Sequence, residues 1–288
     1  MTSIIFGANG QDGFYLSELL RQQGDKVVGV SRNGPLEKTD ITRFADVAAL
    51  ISVTNPDYIF HLAANSTTRH DALFENHETI CTGTLNILES VKKYSPHCKV
   101  FISGSGLQFK NAGRPIKETD EFEARDPYSV SRIQSAYAAR YFRSIGVNVY
   151  LGYFFNHESP RRTERHMTKM IAEAAKRIRG GSEEMLEIGD TSVIKEYTYA
   201  GDIVNAVWKL VTQENIFEAN LGSGQGYSIA DWLDICFSIA GKDWKHYVKS
   251  KEDFVPEYRQ LVCDPARIMS LGWQSSLSFD QLAKLMMD

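Results

Sequence analysis

The segment Gly7-Ala8-Asn9-Gly10-Gln11-Asp12-Gly13 constrains this chain more than any other. Its glycines follow a GxxGxxG spacing. A short apolar strand, Ser3 to Phe6, leads straight into them. A helical pattern of Phe14, Leu16, Leu19 and Leu20 leads out. Glycine suits a backbone that turns sharply, approaches a ligand closely and packs a helix on a strand. The helix N-terminus then offers unpaired N–H groups to an anion. Three glycines alone would also fit a plain tight turn. The strand before and the helix after make this a dinucleotide loop that cradles a pyrophosphate.

The rest of the first half repeats the alternation. Strands are expected at Lys26 to Val30, Tyr58 to Leu62, Lys99 to Ile102 and Val147 to Tyr153. Helices are expected at Phe44 to Ile51, Leu73 to Val91 and Tyr128 to Ser144. This order predicts an α/β fold of Rossmann type, a doubly wound parallel sheet with helices on both faces. Ligands in such sheets bind beyond the C-terminal strand ends. After about residue 155 the pattern changes. Asn156 to Arg165 reads as a polar loop, followed by helices at Met167 to Ile178, Gly201 to Val211, Ile229 to Ala240 and Phe279 to Met287. The expected organisation is a dinucleotide-binding domain over 1–155. A smaller α/β substrate-binding region over 156–288 partly returns to the main sheet.

Composition narrows the function class. A net charge of -4 argues against nucleic acid or a membrane surface as partner. Cys81, Cys98, Cys236 and Cys263 form no CxxC pair and read as reduced thiols in a cytoplasmic protein. No apolar run approaches the ~20 residues of a membrane span. His70 and His77 lack a third ligand at metal spacing, so no metal is expected.

The end of the second strand bears on cofactor choice. An acidic residue there usually meets the ribose hydroxyls of NAD. This chain has Val30-Ser31-Arg32-Asn33, and an arginine can fork onto a 2′-phosphate. NADP is therefore expected, with NAD possible. Asp40 and Ile41 are placed to cap the adenine edge. Leu62-Ala63-Ala64, after the third strand, lets the cofactor lie close.

Tyr128 and Arg132 open the long helix four residues apart, on one face. A cation beside a phenol stabilises the phenolate. Such a tyrosine can exchange a proton with a sugar hydroxyl while hydride moves to or from a nicotinamide. A surface Tyr/Arg pair is the plain alternative; the dinucleotide loop upstream favours the catalytic one.

Several motifs then resemble one family. Gly10-Gln11-Asp12-Gly13-Phe14-Tyr15-Leu16, Leu62-Ala63-Ala64-Asn65-Ser66, Arg125-Asp126-Pro127-Tyr128, Phe155-Asn156-His157-Glu158-Ser159-Pro160-Arg161-Arg162 and Leu271-Gly272-Trp273 are similar to stretches of the GDP-mannose 4,6-dehydratases. These are extended short-chain dehydrogenases/reductases, also called the NAD-dependent epimerase/dehydratase family. The resemblance implies a GDP-sugar substrate and hydride removal at C4. It would place Ser66 near the sugar or phosphates, and Asn156 and Glu158 in the substrate motif. Lys195 would stand as a phosphate cation where the family has arginine, and Glu257 would meet the nucleotide ribose. Arg161, Arg162 and Arg165 would serve phosphate or subunit contact. Phe254 replaces a phosphate-binding arginine, unless Arg259 substitutes. The family forms dimers and tetramers; the segment Asn33 to Lys38 is short, so a homodimer is expected.

The chemistry departs from the pattern. Gly104 and Gly106 stand where the family has a hydroxyl residue and a glutamate, and Arg132 replaces its lysine. Ser105 or Ser103 would have to supply the hydroxyl, although successive strand residues face opposite ways. Arginine keeps the charge but cannot relay a proton. Losing a general acid/base costs on the order of 10²–10⁴ in rate. The expected function is thus 4-oxidoreduction of a GDP-sugar. The alternatives are a 4,6-dehydratase whose acid/base groups have moved, with Asp126, Glu118 or His157 as substitutes, and a nucleotide-binding homologue without catalysis.

Overall fold

A computed structural model describes residues 1–32 and 36–288. Part of the short segment after the second strand, residues 33–35, lies outside the described residues. The elements run in the order β1 (Thr2–Phe6), α1 (Gln11–Gln22), β2 (Lys26–Val30), α2 (Phe44–Thr54), β3 (Tyr58–His61), α3 (Gly83–Tyr94), β4 (Lys99–Ser105), α4 (Pro127–Ser144) and β5 (Asn148–Phe154). They continue with α5 (Met167–Arg179), α6 (Ala200–Val211), β6 (Glu218–Leu221), α7 (Ile229–Ile239) and α8 (Phe279–Met287). The six strands form one parallel sheet in the order β6-β5-β4-β3-β1-β2. This is the Rossmann-type architecture expected from the alternation.

Two cores sandwich the sheet. Ile4, Ile59, Val100, Ile102 and Leu151 face α2, α3 and α4. Ile5, Phe60, Phe101 and Tyr150 face α1 and α6. Both faces are covered, so the strands read as continuous apolar runs. A third core joins α5, α7 and α8 around Trp232, Phe237 and Met286. Among the described residues, no helix is long and apolar enough to cross a membrane.

Three elements differ from the sequence reading. The helix expected over Leu73 to Val91 passes through a wider π turn at His77–Thr82. The run Ser103-Gly104-Ser105 lies inside β4, because Gly104 and Ser105 pair with Tyr153 and Phe154. The polar stretch after Phe155 is an exposed loop only from Pro160 onward. His157–Glu158 pairs in parallel with Thr198–Tyr199, and His157, Glu158 and Ser159 are buried. His157 and Ser159 find hydrogen-bond partners inside the protein and Glu158 an ion pair with Arg162, which hydropathy alone does not foresee.

Candidate active site

The cofactor loop has the geometry its glycines require. Gly7 has φ +90°, and a Cβ there would stand 2.7 Å from the Ala63 nitrogen and 2.9 Å from the Leu62 carbonyl carbon. At Gly13 a Cβ would run into the Gly7 oxygen and, at 2.6 Å, into the Ala8 Cα. Gly10 is the N-cap of α1, and no side chain caps the helix. Its first N–H groups therefore stay free for an anion, and the loop fits the pyrophosphate of a dinucleotide. Asn9 and Gly10 are exposed.

Of the other residues predicted to hold the cofactor, Leu62 and Ala63 lie against Gly7, and the rest have different engagements. Arg32 is 74% exposed, and both of its terminal nitrogens lie 3.1 Å from Glu75 Oε1. Asn65 Nδ2 donates to the other Glu75 oxygen at 2.8 Å. Asp40 Oδ1 accepts from the backbone and hydroxyl of Thr42, which holds its carboxyl below the ordinary range. Ile41 packs over Gly83, and its carbonyl accepts from Asn86. Ala64 lines an outer cavity of about 740 Å³ with Ser66, Arg69, Glu75, Arg165 and His166.

A central cavity of about 210 Å³ opens beyond the strand ends and gathers the proposed chemistry. Its walls include Leu62, Ser66, Ser103, Ser105, Tyr128, Arg132, Asn156 and Arg162. Tyr128 is fixed by the start of α4. Asp126 caps that helix through Oδ1, accepting from the N–H groups of Tyr128 and Ser129, and Pro127 occupies the first turn. The Arg132 guanidinium carbon lies 5.0 Å from the Tyr128 ring centroid. Arg132 donates to the Ser103 carbonyl and, at 2.9 Å, to its hydroxyl. Ser103 in turn donates to the His61 carbonyl at 2.8 Å. Burial and the charge of Arg132 push His61 down to about 3, so it stays neutral. Arg132 is 3% exposed, and among the described residues no carboxylate pairs with it. A buried cation without a carboxylate is costly, and such groups concentrate at functional sites.

The two glycines are filled by aromatics. A Cβ at Gly104 would stand 2.6 Å from the Tyr153 ring, and one at Gly106 would stand 2.8 Å from the Phe155 ring. Both rings are buried. Ser103 and Ser105, two apart on β4, reach the cavity instead; the alternation that counts against Gly104 places both on one face.

Of the three possible substitutes for the glutamate, His157 alone lines this cavity. Its Nε2 lies 2.8 Å from Asp12 Oδ1 and its Nδ1 lies 2.7 Å from the Phe155 carbonyl. Both nitrogens face acceptors, so the ring is held as a donor on both sides. Burial works against that charge, but Asp12 outweighs it and raises His157. Burial likewise opposes the Asp12 charge; His157 and Arg162 prevail and hold it at about 2. Asp126 is spent on the helix cap. Glu118 accepts from the Asn220 N–H on β6.

The remaining predicted residues separate. Asn156 lines the cavity, and its Oδ1 is buried without a partner. Glu158 is buried 3.3 Å from Arg162. Gln11 Oε1 accepts from Ser159, tying the cofactor loop to the same segment. Lys195 and Glu257 line a third cavity of about 310 Å³ with Val193, Phe254 and Tyr258, and Tyr258 also reaches the central one. Burial lowers Lys195, partly offset by Glu158. Arg161 is exposed, 3.7 Å from the Phe14 ring centroid, and lines neither the central nor the outer cavity. Arg259 is exposed as well. Arg162, predicted to serve phosphate or subunit contact, lines the central cavity; His166, Thr68, Leu107, Phe154, Tyr258 and Leu261 line it without having been predicted.

A sequence model of the GDP-mannose 4,6 dehydratase family matches residues 4–286. GDP-mannose 4,6 dehydratases 2 and 1 of Arabidopsis thaliana are each 30% identical over 99% of this chain, which covers 86% and 88% of theirs. The fold superposes on UDP-glucose 4-epimerase of Thermotoga maritima with a TM-score of 0.89 at 21% identity, covering 100% and 97% of the two chains. It also matches the NADPH complex of RMD from Pseudomonas aeruginosa, with a TM-score of 0.86 at 21% identity over 99% and 96%. With the loop, the Tyr128 cavity and a match over nearly its whole length, this chain belongs to the GDP-mannose 4,6-dehydratase family of enzymes.

Proposed function

We propose that this protein uses NADP to move a hydride at C4 of a GDP-sugar, as a 4-oxidoreductase that does not expel water. The observation that carries this reading is the contrast within one cavity. Tyr128, Arg132, Ser103 and Ser105 line it together, whereas Tyr153 and Phe155 fill the space that side chains at 104 and 106 would need.

When bound, a nicotinamide dinucleotide accepts or returns the C4 hydride. The residues of the chain handle the rest. Gly7 to Gly13 and the N-terminus of α1 hold the pyrophosphate, and Leu62 to Ala64 line its path. Arg32 meets the 2′-phosphate after exchanging Glu75 for it, and Asp40 and Ile41 border the adenine. Tyr128 takes the proton of the C4 hydroxyl as hydride leaves, or gives it back in reduction. Arg132 stabilises the phenolate across the ring face. Ser105, or Ser103, hydrogen-bonds the C4 oxygen. C4 redox needs no base at C5 and no acid at C6, so glycine at 106 is tolerated.

The substrate would run from this cavity outward. Ser66, Asn156, Arg162 and Glu158 surround the sugar and diphosphate. Glu257 and Phe254 wall the apolar cavity for the nucleoside, Lys195 at its inner end turns its charge toward the diphosphate, and Arg161 and Arg259 stay peripheral. A homodimer is proposed on α3 and α4, which pack together and expose Leu85, Tyr137 and Tyr141. Four buried free thiols fit a reducing compartment, and the cytoplasm is proposed with it.

Mass spectrometry of GDP-mannose incubated with the protein and NADP tests the reading. A product two hydrogens lighter, or a new stereoisomer of unchanged mass, is expected. Loss of water would overturn it in favour of dehydration. Tight cofactor binding with no turnover across several GDP-sugars would mark a binding homologue.

A further inference from the structure

We propose that His166 is a contact of the substrate diphosphate and takes up a proton when the phosphates bind. The inference rests on the nucleotide-sugar reading and adds a pH-linked binding residue to it.

His166 stands immediately before α5, on the wall between two cavities. It and Ser66 are the residues that line both the central cavity with Tyr128 and the outer one with Arg165. The side chain is half-buried, and among the described residues no hydrogen bond engages its ring nitrogens. In this it differs from His157, whose two nitrogens are both occupied. It is therefore the imidazole in this cavity with a free lone pair to protonate.

The charges around it are lopsided. Arg162, Arg165 and Lys195 act on the ring, against the single carboxylate of Glu158. Glu158 is itself shared with Arg162 at 3.3 Å. The more distant groups cancel in pairs: Asp12 with His157, Asp71 with Arg69, and Glu75 with Arg32. Arg132 adds a further unpaired cation. Burial raises Tyr258 to about 12, so it is neutral. The unliganded wall thus carries surplus positive charge and suits an anion.

Burial and Arg162 together lower His166, so the unliganded ring is neutral near pH 7. A dianionic diphosphate placed among Arg162, Arg165 and Lys195 reverses the local field. The imidazolium becomes favoured, and its second N–H becomes a donor to phosphate oxygen. The sign follows from linkage. Affinity is highest below the value of the free ring and falls as pH rises toward that of the bound ring. The slope reaches about tenfold in Kd per pH unit for one proton.

The test is calorimetric titration of GDP-mannose, whose diester phosphates do not titrate near neutral pH, in buffers of different ionisation enthalpy. A Tyr128→Phe background blocks turnover. Uptake approaching one proton is expected, with Kd weakening several-fold from pH 6 to 8 (an order-of-magnitude slope set by linkage). Adding His166→Asn should abolish the uptake and flatten the pH slope while binding persists; His166→Phe should do the same. Guanosine, which has no phosphates, should bind without uptake. Uptake that survives in His166→Asn, an equal slope with guanosine, or no binding of GDP-mannose at any pH would overturn the inference. Failure of the C4 reading is judged separately, by product mass, and would leave the proton uptake in place.

Discussion

His157 Nε2 lies 2.8 Å from Asp12 Oδ1, joining the segment after β5 to the first turn of the cofactor helix. Asp12, half-buried, would otherwise set an uncompensated negative charge in the first turn of that helix. The imidazolium cancels that charge and lets the acidic residue remain at the helix N-terminus, where the dipole favours it. The pair also fixes the loop against the wall that carries Asn156.

Its pH dependence follows from the two shifts. His157 is raised, so its contribution is complete below the ordinary histidine value and is lost as pH rises through the folded one. Asp12 is lowered to about 2, so its contribution is present above the ordinary carboxylate value and fades only as pH falls toward 2. Cofactor affinity and melting temperature should therefore decline together on the alkaline side. His157→Gln should cost about 1–3 kcal/mol, because it removes the charged hydrogen-bond partner of a half-buried carboxylate, and Asp12→Asn in the same chain should recover part of it. Thermal unfolding and NADPH fluorescence titration would read both; a single variant as stable as the wild type would remove this account.

Tyr128→Phe should lower turnover by on the order of 10²–10⁴ with cofactor affinity unchanged, since only a proton-transfer group is lost. Arg132→Lys should keep more activity than Arg132→Met, because the lysine retains a cation near the ring. Nicotinamide absorbance would follow both, and full activity in the phenylalanine variant would exclude the assigned role.

Restoring the family glutamate should not restore dehydration. Gly106→Glu forces a Cβ against Phe155, and Gly104→Thr does the same against Tyr153. Each should destabilise by about 1–3 kcal/mol through overpacking. Calorimetric melting measures the cost, and mass spectrometry should show no loss of water in either product.

Glu75→Gln should strengthen NADP binding by no more than about fivefold, because the Arg32 pair it releases is exposed and worth ~0–1 kcal/mol. Arg32→Ala should weaken NADP and leave NAD unchanged. Equal effects on both cofactors would show that Arg32 does not read the 2′-phosphate.

Tyr141→Lys should shift the protein toward monomer in sedimentation if the exposed α4 face, where Tyr137 and Tyr141 are 58% and 60% exposed, joins two copies. An unchanged mass would place any dimer elsewhere.

The sequence by itself determined the parallel sheet, the cofactor loop and the start of α4. These depend on local signals: apolar runs, glycine spacing, and an Asp-Pro start that caps a helix two residues from Tyr128. It also showed that Gly104 and Gly106 lack the expected groups, because identity at a position needs no folding. Tertiary structure decided what those absences mean. Tyr153 and Phe155 fill the space, and both arrive from β5 and the residue after it, some fifty residues along the chain. Folding likewise turned a polar run, His157 to Ser159, into a buried wall. It paired Asp12 with a histidine 145 residues away and left His166 unpaired between two cavities. Such pairings depend on which elements the sheet order brings side by side, and local hydropathy carries no record of that.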